Sequence, residues 1–92
     1  MDAKNILVLA RHDHTESMRV AAGLTIVGHE VRLVLMHEPL AETAENAEQV
    51  ELLDLCDITP ETTVAAMADE LTLLDAAGLA AAIAAADRVI SI

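Results

Sequence analysis

Ninety-two residues, a formal net charge of −11 and the complete lack of Phe, Tyr and Trp bound what this chain can do. The charge repels phosphate backbones and anionic membrane surfaces, and no ring is present on which a base could stack, so nucleic acid and membrane are excluded as expected partners. The length predicts one domain, and 54% hydrophobic residues give so small a body more apolar surface than its interior hides, so subunit association is expected.

The first element is Asn5–Ala10, a continuous apolar run without polar alternation, as in a strand covered on both faces. Arg11-His12-Asp13-His14 follows as a polar loop. Asp13 and Glu16 stand at capping-box spacing, which predicts a helix start. Met18, Ala21, Ala22 and Thr25, widened by Leu24, recur at helical spacing through residues 15–27, and Gly28 stands where a left-handed helix cap is wanted. Residues 31–36 form a second apolar run rich in β-branched side chains, predicted as the second strand. His37-Glu38-Pro39 closes it. Over residues 40–49, Leu40, Ala44 and Ala47 lie opposite Glu42, Glu45 and Glu48, a short acidic helix facing solvent.

Residues 51–55 read as a third apolar strand that runs out into a loop carrying the only cysteine, Cys56. Thr59 followed by Pro60 reads as a helix start, and Val64, Met67, Ala68 and Leu71 continue it at helical spacing through 60–69. Residues 71–74 are predicted as a short strand, because Asp75 has the character of an N-cap and implies that the preceding helix has ended. Residues 76–86 carry no charge, so a helix there is expected to be buried nearly all round, with Gly78 allowing another backbone close. A last strand is predicted over 89–92.

Strand and helix patterns thus alternate. The predicted fold class is α/β, a three-layer sandwich with a mostly parallel sheet of about five strands and helices on both faces, one domain over residues 1–92. The apolar run 76–86 is shorter than the ~20 residues of a membrane span. Met1-Asp2-Ala3-Lys4 lacks the basic start of a secretory signal, so a cytoplasmic protein is expected.

In open parallel sheets the usable crevice lies beyond the carboxyl ends of the strands. The predicted strand ends bring Arg11, His12 and His14, then His37 and Glu38, then Cys56 and Asp57 to that edge. As a nucleophile or sulfur carrier, Cys56 would draw on the following helix start and a neighbouring imidazolium to hold a thiolate, with His12 or His37 in that role. Asp54 and Asp57 work against it through like charge. The other reading is a small buried hydrophobe at a strand end. His12, His14 and His37 with Cys56 are chemically suited to zinc, but His-x-His is a weak signal, and no metal or cofactor is expected. Gly23, Gly28 and Gly78 are the only glycines and none opens a helix after a strand, so a phosphate loop is not predicted.

The order of elements resembles the DsrE/DsrF-like (YchN-like) family. The resemblance is carried by Ala21-Ala22-Gly23-Leu24 through Gly28-His29-Glu30-Val31-Arg32-Leu33-Val34-Leu35-Met36, by the lone Cys56, and by Ala86-Asp87-Arg88-Val89-Ile90-Ser91-Ile92. It spans nearly the whole chain, on motifs that are mostly apolar patterns plus one cysteine. It implies a small α/β sandwich, assembly as a homo-oligomer (trimer or hexamer), and a persulfide on Cys56 that passes sulfane sulfur between partner proteins. The alternative is a non-catalytic oligomeric or ligand-binding module of the same fold, with Cys56 structural.

Overall fold

The computed structural model describes residues 3–92; Met1 and Asp2, part of the start read above as non-secretory, lie outside them. The described chain runs β1 (Asn5–Ala10), α1 (His14–Ile26), β2 (Glu30–Leu35), α2 (Ala44–Leu55), β3 (Glu61–Thr62), a 3-10 turn (Ala65–Met67), β4 (Thr72–Leu73), α3 (Ala76–Ala85) and β5 (Arg88–Ser91). The five strands form one sheet in the order β4-β3-β2-β1-β5, every pair parallel. This is the predicted α/β sandwich.

β1 and β2 are its centre. They pair along their whole length, Asn5 with Glu30 through Ala10 with Leu35. Because side chains alternate across a strand, Ile6, Val8, Ala10, Leu33 and Leu35 face one way and Leu7, Leu9 and Val34 the other. The first set meets Met18, Ala21 and Ala22 of α1 and Leu53 of α2 in the main core. The second meets Ala82 of α3 in a smaller one. Continuous apolar strands are what burial on both faces demands.

Local signals place α1 as the sequence predicts. The Asp13 carboxylate accepts the Glu16 amide at 3.0 Å, satisfying one free donor of the first turn. The Glu16 side chain does not return the bond; it pairs with Arg19, whose hydrogen bond lowers the Glu16 pKa. At the other end Gly28 takes φ +101°. An alanine there meets no neighbour but is strained by its own backbone, whereas at Gly23, inside α1, an added methyl also finds open space and suits the helix. Gly28→Ala is therefore expected to lower, and Gly23→Ala to raise, the unfolding free energy, each by about 1 kcal/mol. Urea unfolding of the two variants checks the opposite signs.

Three expectations are corrected. The helix read over 40–49 begins at Ala44 and runs on to Leu55, so residues 51–55 are its second half, not a strand. Residues 60–69 hold the two-residue strand β3 and one 3-10 turn instead of an amphipathic helix. The third is α3, which is not buried all round: Ala82 alone is buried, with Gly78, Leu79 and Ala86 half-buried beside it and Ala77, Ala80, Ala81 and Ala84 exposed. The Asp75 carboxylate caps α3 as predicted, accepting the Gly78 amide at 2.7 Å.

The two faces of the sheet are unequally clothed. α1 and α2 cover one; the other carries α3 alone. Five strands span about 20 Å and one helix is about 10 Å wide, so close to half of that face lacks a helical cover. Over β2 and β3 it carries instead a two-pronged pair, Arg32 Nε and Nη2 donating to Glu61 at 2.9 and 3.0 Å, which raises the Arg32 pKa. Toward the edge, Ile83 and Val89 stay 42% and 43% exposed.

Candidate functional site

The strand carboxyl ends do form a hollow. It measures about 250 Å³ and is lined by His12, Asp13, His14 and Thr15 from the β1–α1 turn, Glu38, Pro39 and Ala41 from the β2–α2 connection, and Asn46 from α2. The His37 ring, which is not part of that lining, stands beside His12, centroids 6.2 Å apart and tilted by 36°. Both are exposed. His37 adopts φ +74°, a left-handed conformation that a non-glycine residue holds only where its surroundings impose it.

His14 behaves differently. It is buried, and its Nε2–H donates to the Met36 carbonyl at 3.0 Å, tying the start of α1 to the end of β2. The Arg11 and His12 amides both donate to the Ile92 carbonyl, at 2.8 and 2.9 Å. These bonds tie the β1 end to β5 and leave neither amide free to receive a phosphate, in keeping with the missing glycine-rich loop.

Asn46 is the residue the sequence reading passed over. It is 4% exposed; its carbonyl accepts the Thr15 hydroxyl, its amide donates to Ala41 O at 2.8 Å, and Thr43 Oγ1 accepts its backbone N–H at 3.1 Å. One side chain therefore bolts α2 to the start of α1 and walls the hollow. The available signal was a polar residue in the stripe Asn46, Gln49, Val50, Leu53, which is the inward spacing of a helix that continues past 49.

Cys56 does not join this group. It terminates α2, its amide donating to the Leu52 and Leu53 carbonyls. The hollow borders the first turn of α2, and the helix carries the chain about 18 Å away before Cys56 is reached. The predicted convergence of Cys56 with His12 and His37 on one edge is thus corrected: a helix, not a strand, leads into the cysteine, and that reverses the end of the sheet on which it lies. The thiol is free, half-buried and packed against the main core. The helix terminus beside it is the carbonyl end of α2, not the amino end that Thr59 and Pro60 were expected to supply. Asp57 next to it holds φ +59° and turns the chain toward β3. His29 lies apart from the hollow, as expected, its Nδ1 accepting the Lys4 amide at 3.2 Å.

Compared with protein-family models, with curated proteins and with solved structures, the chain matches none. Among the described residues no group of three or more His, Cys, Asp or Glu side chains is placed to hold a metal ion. No helix among them is long and apolar enough to cross a membrane.

Proposed function

We propose that this chain is a non-catalytic, self-associating α/β module whose hollow at the strand carboxyl ends takes a small polar ligand, with Cys56 serving as a structural helix-end residue. The observation that carries this reading is the separation of Cys56 from the histidines by the length of α2. A thiolate carrier needs a positive neighbour or a helix amino end at the sulfur, and Cys56 has neither from its own helix. The hollow offers a ligand the exposed ring of His12 together with the Asp13 and Glu38 carboxylates, with the His37 ring 6.2 Å from His12 outside the lining.

Self-association is supported by the half-clothed sheet face and by α3, which presents alanine to solvent over most of its surface. With a net charge of −11, two copies repel one another unless they meet through a surface free of carboxylates. α3 has none between Asp75 and Asp87.

The resemblance to DsrE/DsrF-like proteins implies the competing reading, a persulfide on Cys56. Incubation with a persulfide donor followed by intact-mass spectrometry separates the two. The expected result is no adduct on the folded protein, and no difference between the parent chain and Cys56→Ser. A gain of one sulfur atom on the folded parent chain, lost in Cys56→Ser, would overturn the structural reading of Cys56.

A further inference from the structure

Beside the first turns of α2, adjoining the histidine hollow through Ala41 and Asn46, runs a groove of about 550 Å³ whose other lining includes Leu40, Glu42, Val50, Met67 and Glu70. A deeper hollow of about 120 Å³ continues from it, sharing Leu40, Val50, Met67 and Glu70 and reaching Met18 and Leu35 of the main core. The groove thus has a broad apolar floor, one recess deep enough for a single anchoring side chain, and carboxylates on its rim.

The floor is held in place. Met67 sits in the 3-10 turn, where its sulfur accepts the Leu40 amide at 3.4 Å, so the β2–α2 connection and the turn are pinned through one flexible, polarisable side chain. Val50, at 43% exposure, is the open apolar wall. None of the chain's five basic residues lines the groove, and two of them, Arg19 and Arg32, are already paired with Glu16 and Glu61. The rim carboxylates of Glu42 and Glu70 therefore have no counter-charge from the groove's own lining.

We infer that this groove docks a basic amphipathic helix from another protein, its apolar face on Leu40, Val50 and Met67, one large aliphatic side chain in the recess, and Lys or Arg opposite Glu42 and Glu70. Charge selects this occupant. A second copy of the chain brings another −11 to an acidic rim, whereas a cationic helix is drawn to it. The inference goes beyond the ligand hollow and the α3 surface and depends on neither.

The test is titration of the full chain with a fluorescent peptide of about 14 residues, Leu and Lys segregated to two helical faces, against an isomer of identical composition with the spacing scrambled. The segregated peptide is expected to bind at least about tenfold tighter than its isomer, and to weaken steeply as salt rises from about 0.05 to 0.5 M. Val50→Glu is expected to weaken it at least tenfold. Glu42→Gln with Glu70→Gln should flatten the salt dependence while retaining the preference between isomers. Both variants change exposed positions, and circular dichroism confirms their folding. Equal affinity for the two peptides, or binding indifferent to Val50→Glu, overturns the inference. So does loss of self-association in Val50→Glu, since a second copy would then be the occupant.

Discussion

Leu53→Ala is expected to lower the unfolding free energy by about 3 kcal/mol, whereas Leu55→Ala stays within about 0.5 kcal/mol of the parent chain. The two leucines are two positions apart and opposite in environment: Leu53 is 1% exposed in the main core, Leu55 83% exposed. In a strand, residues at i and i+2 share a face, so both truncations would hurt or both would be tolerated. In a helix they stand about 200° apart, and only one can point inward. For a domain of this size about 3 kcal/mol corresponds to a melting temperature lower by roughly 10–25 °C, a large share of the margin by which small domains are folded. Thermal and urea unfolding of the two variants decide the matter. Equal losses would return residues 51–55 to the sheet and Cys56 to the edge where the histidines lie.

The other large effect is expected on assembly. Ala81→Glu combined with Ala84→Glu places two carboxylates on the solvent side of α3, where both alanines are exposed in the single chain. Glu is a good helix former, so the fold should be almost untouched. If α3 is the surface through which copies meet, each new carboxylate is buried without a partner beside others of its sign, at a cost of several kcal/mol. Association then weakens by more than about 100-fold. Sedimentation equilibrium should show the parent chain as a multiple of 9.7 kDa and the double variant at 9.7 kDa, with unchanged circular dichroism. A monomeric parent chain, or a variant that still associates, rules out the α3 interface.

This chain carries two kinds of structural signal, local and tertiary. β1, α1, β2, α3 and β5 are legible because each carries an apolar run or a helical stripe, and the two helices are also marked at their ends: Asp13, Gly28 and Asp75 all perform the capping read from their residue types. The middle of the chain misled. Residues 51–55 contain three leucines and no β-branched residue, and Leu and Glu prefer helix; the run continues the stripe of Asn46, Gln49 and Val50 instead of opening a strand. β3 and β4 have two residues each, too few for any periodicity. What marks β3 is tertiary: Thr62 is fully buried and its hydroxyl donates to the Leu35 carbonyl at 2.8 Å. One misread element displaced the candidate site. With α2 ended six residues early, Cys56 moved from one rim of the sheet to the other, while the histidine hollow, resting on the well-marked β1 and β2, came out in place.

The strand order also determines when the molecule can be completed during synthesis. β5 pairs with β1, and the Asp87 carboxylate receives the Asn5 amide across a sequence separation of 82. Translation at about 5–20 residues per second leaves β1 waiting some 4–16 s for its second neighbour. Through that interval β1 has β2 for a neighbour on one side only, and the other side of its hydrogen-bonding groups is unpaired. The most apolar strand of the sheet is thus, on the ribosome, an exposed edge of the kind that recruits foreign strands. Factors that shield nascent chains should therefore influence the yield of this protein more than its equilibrium stability suggests.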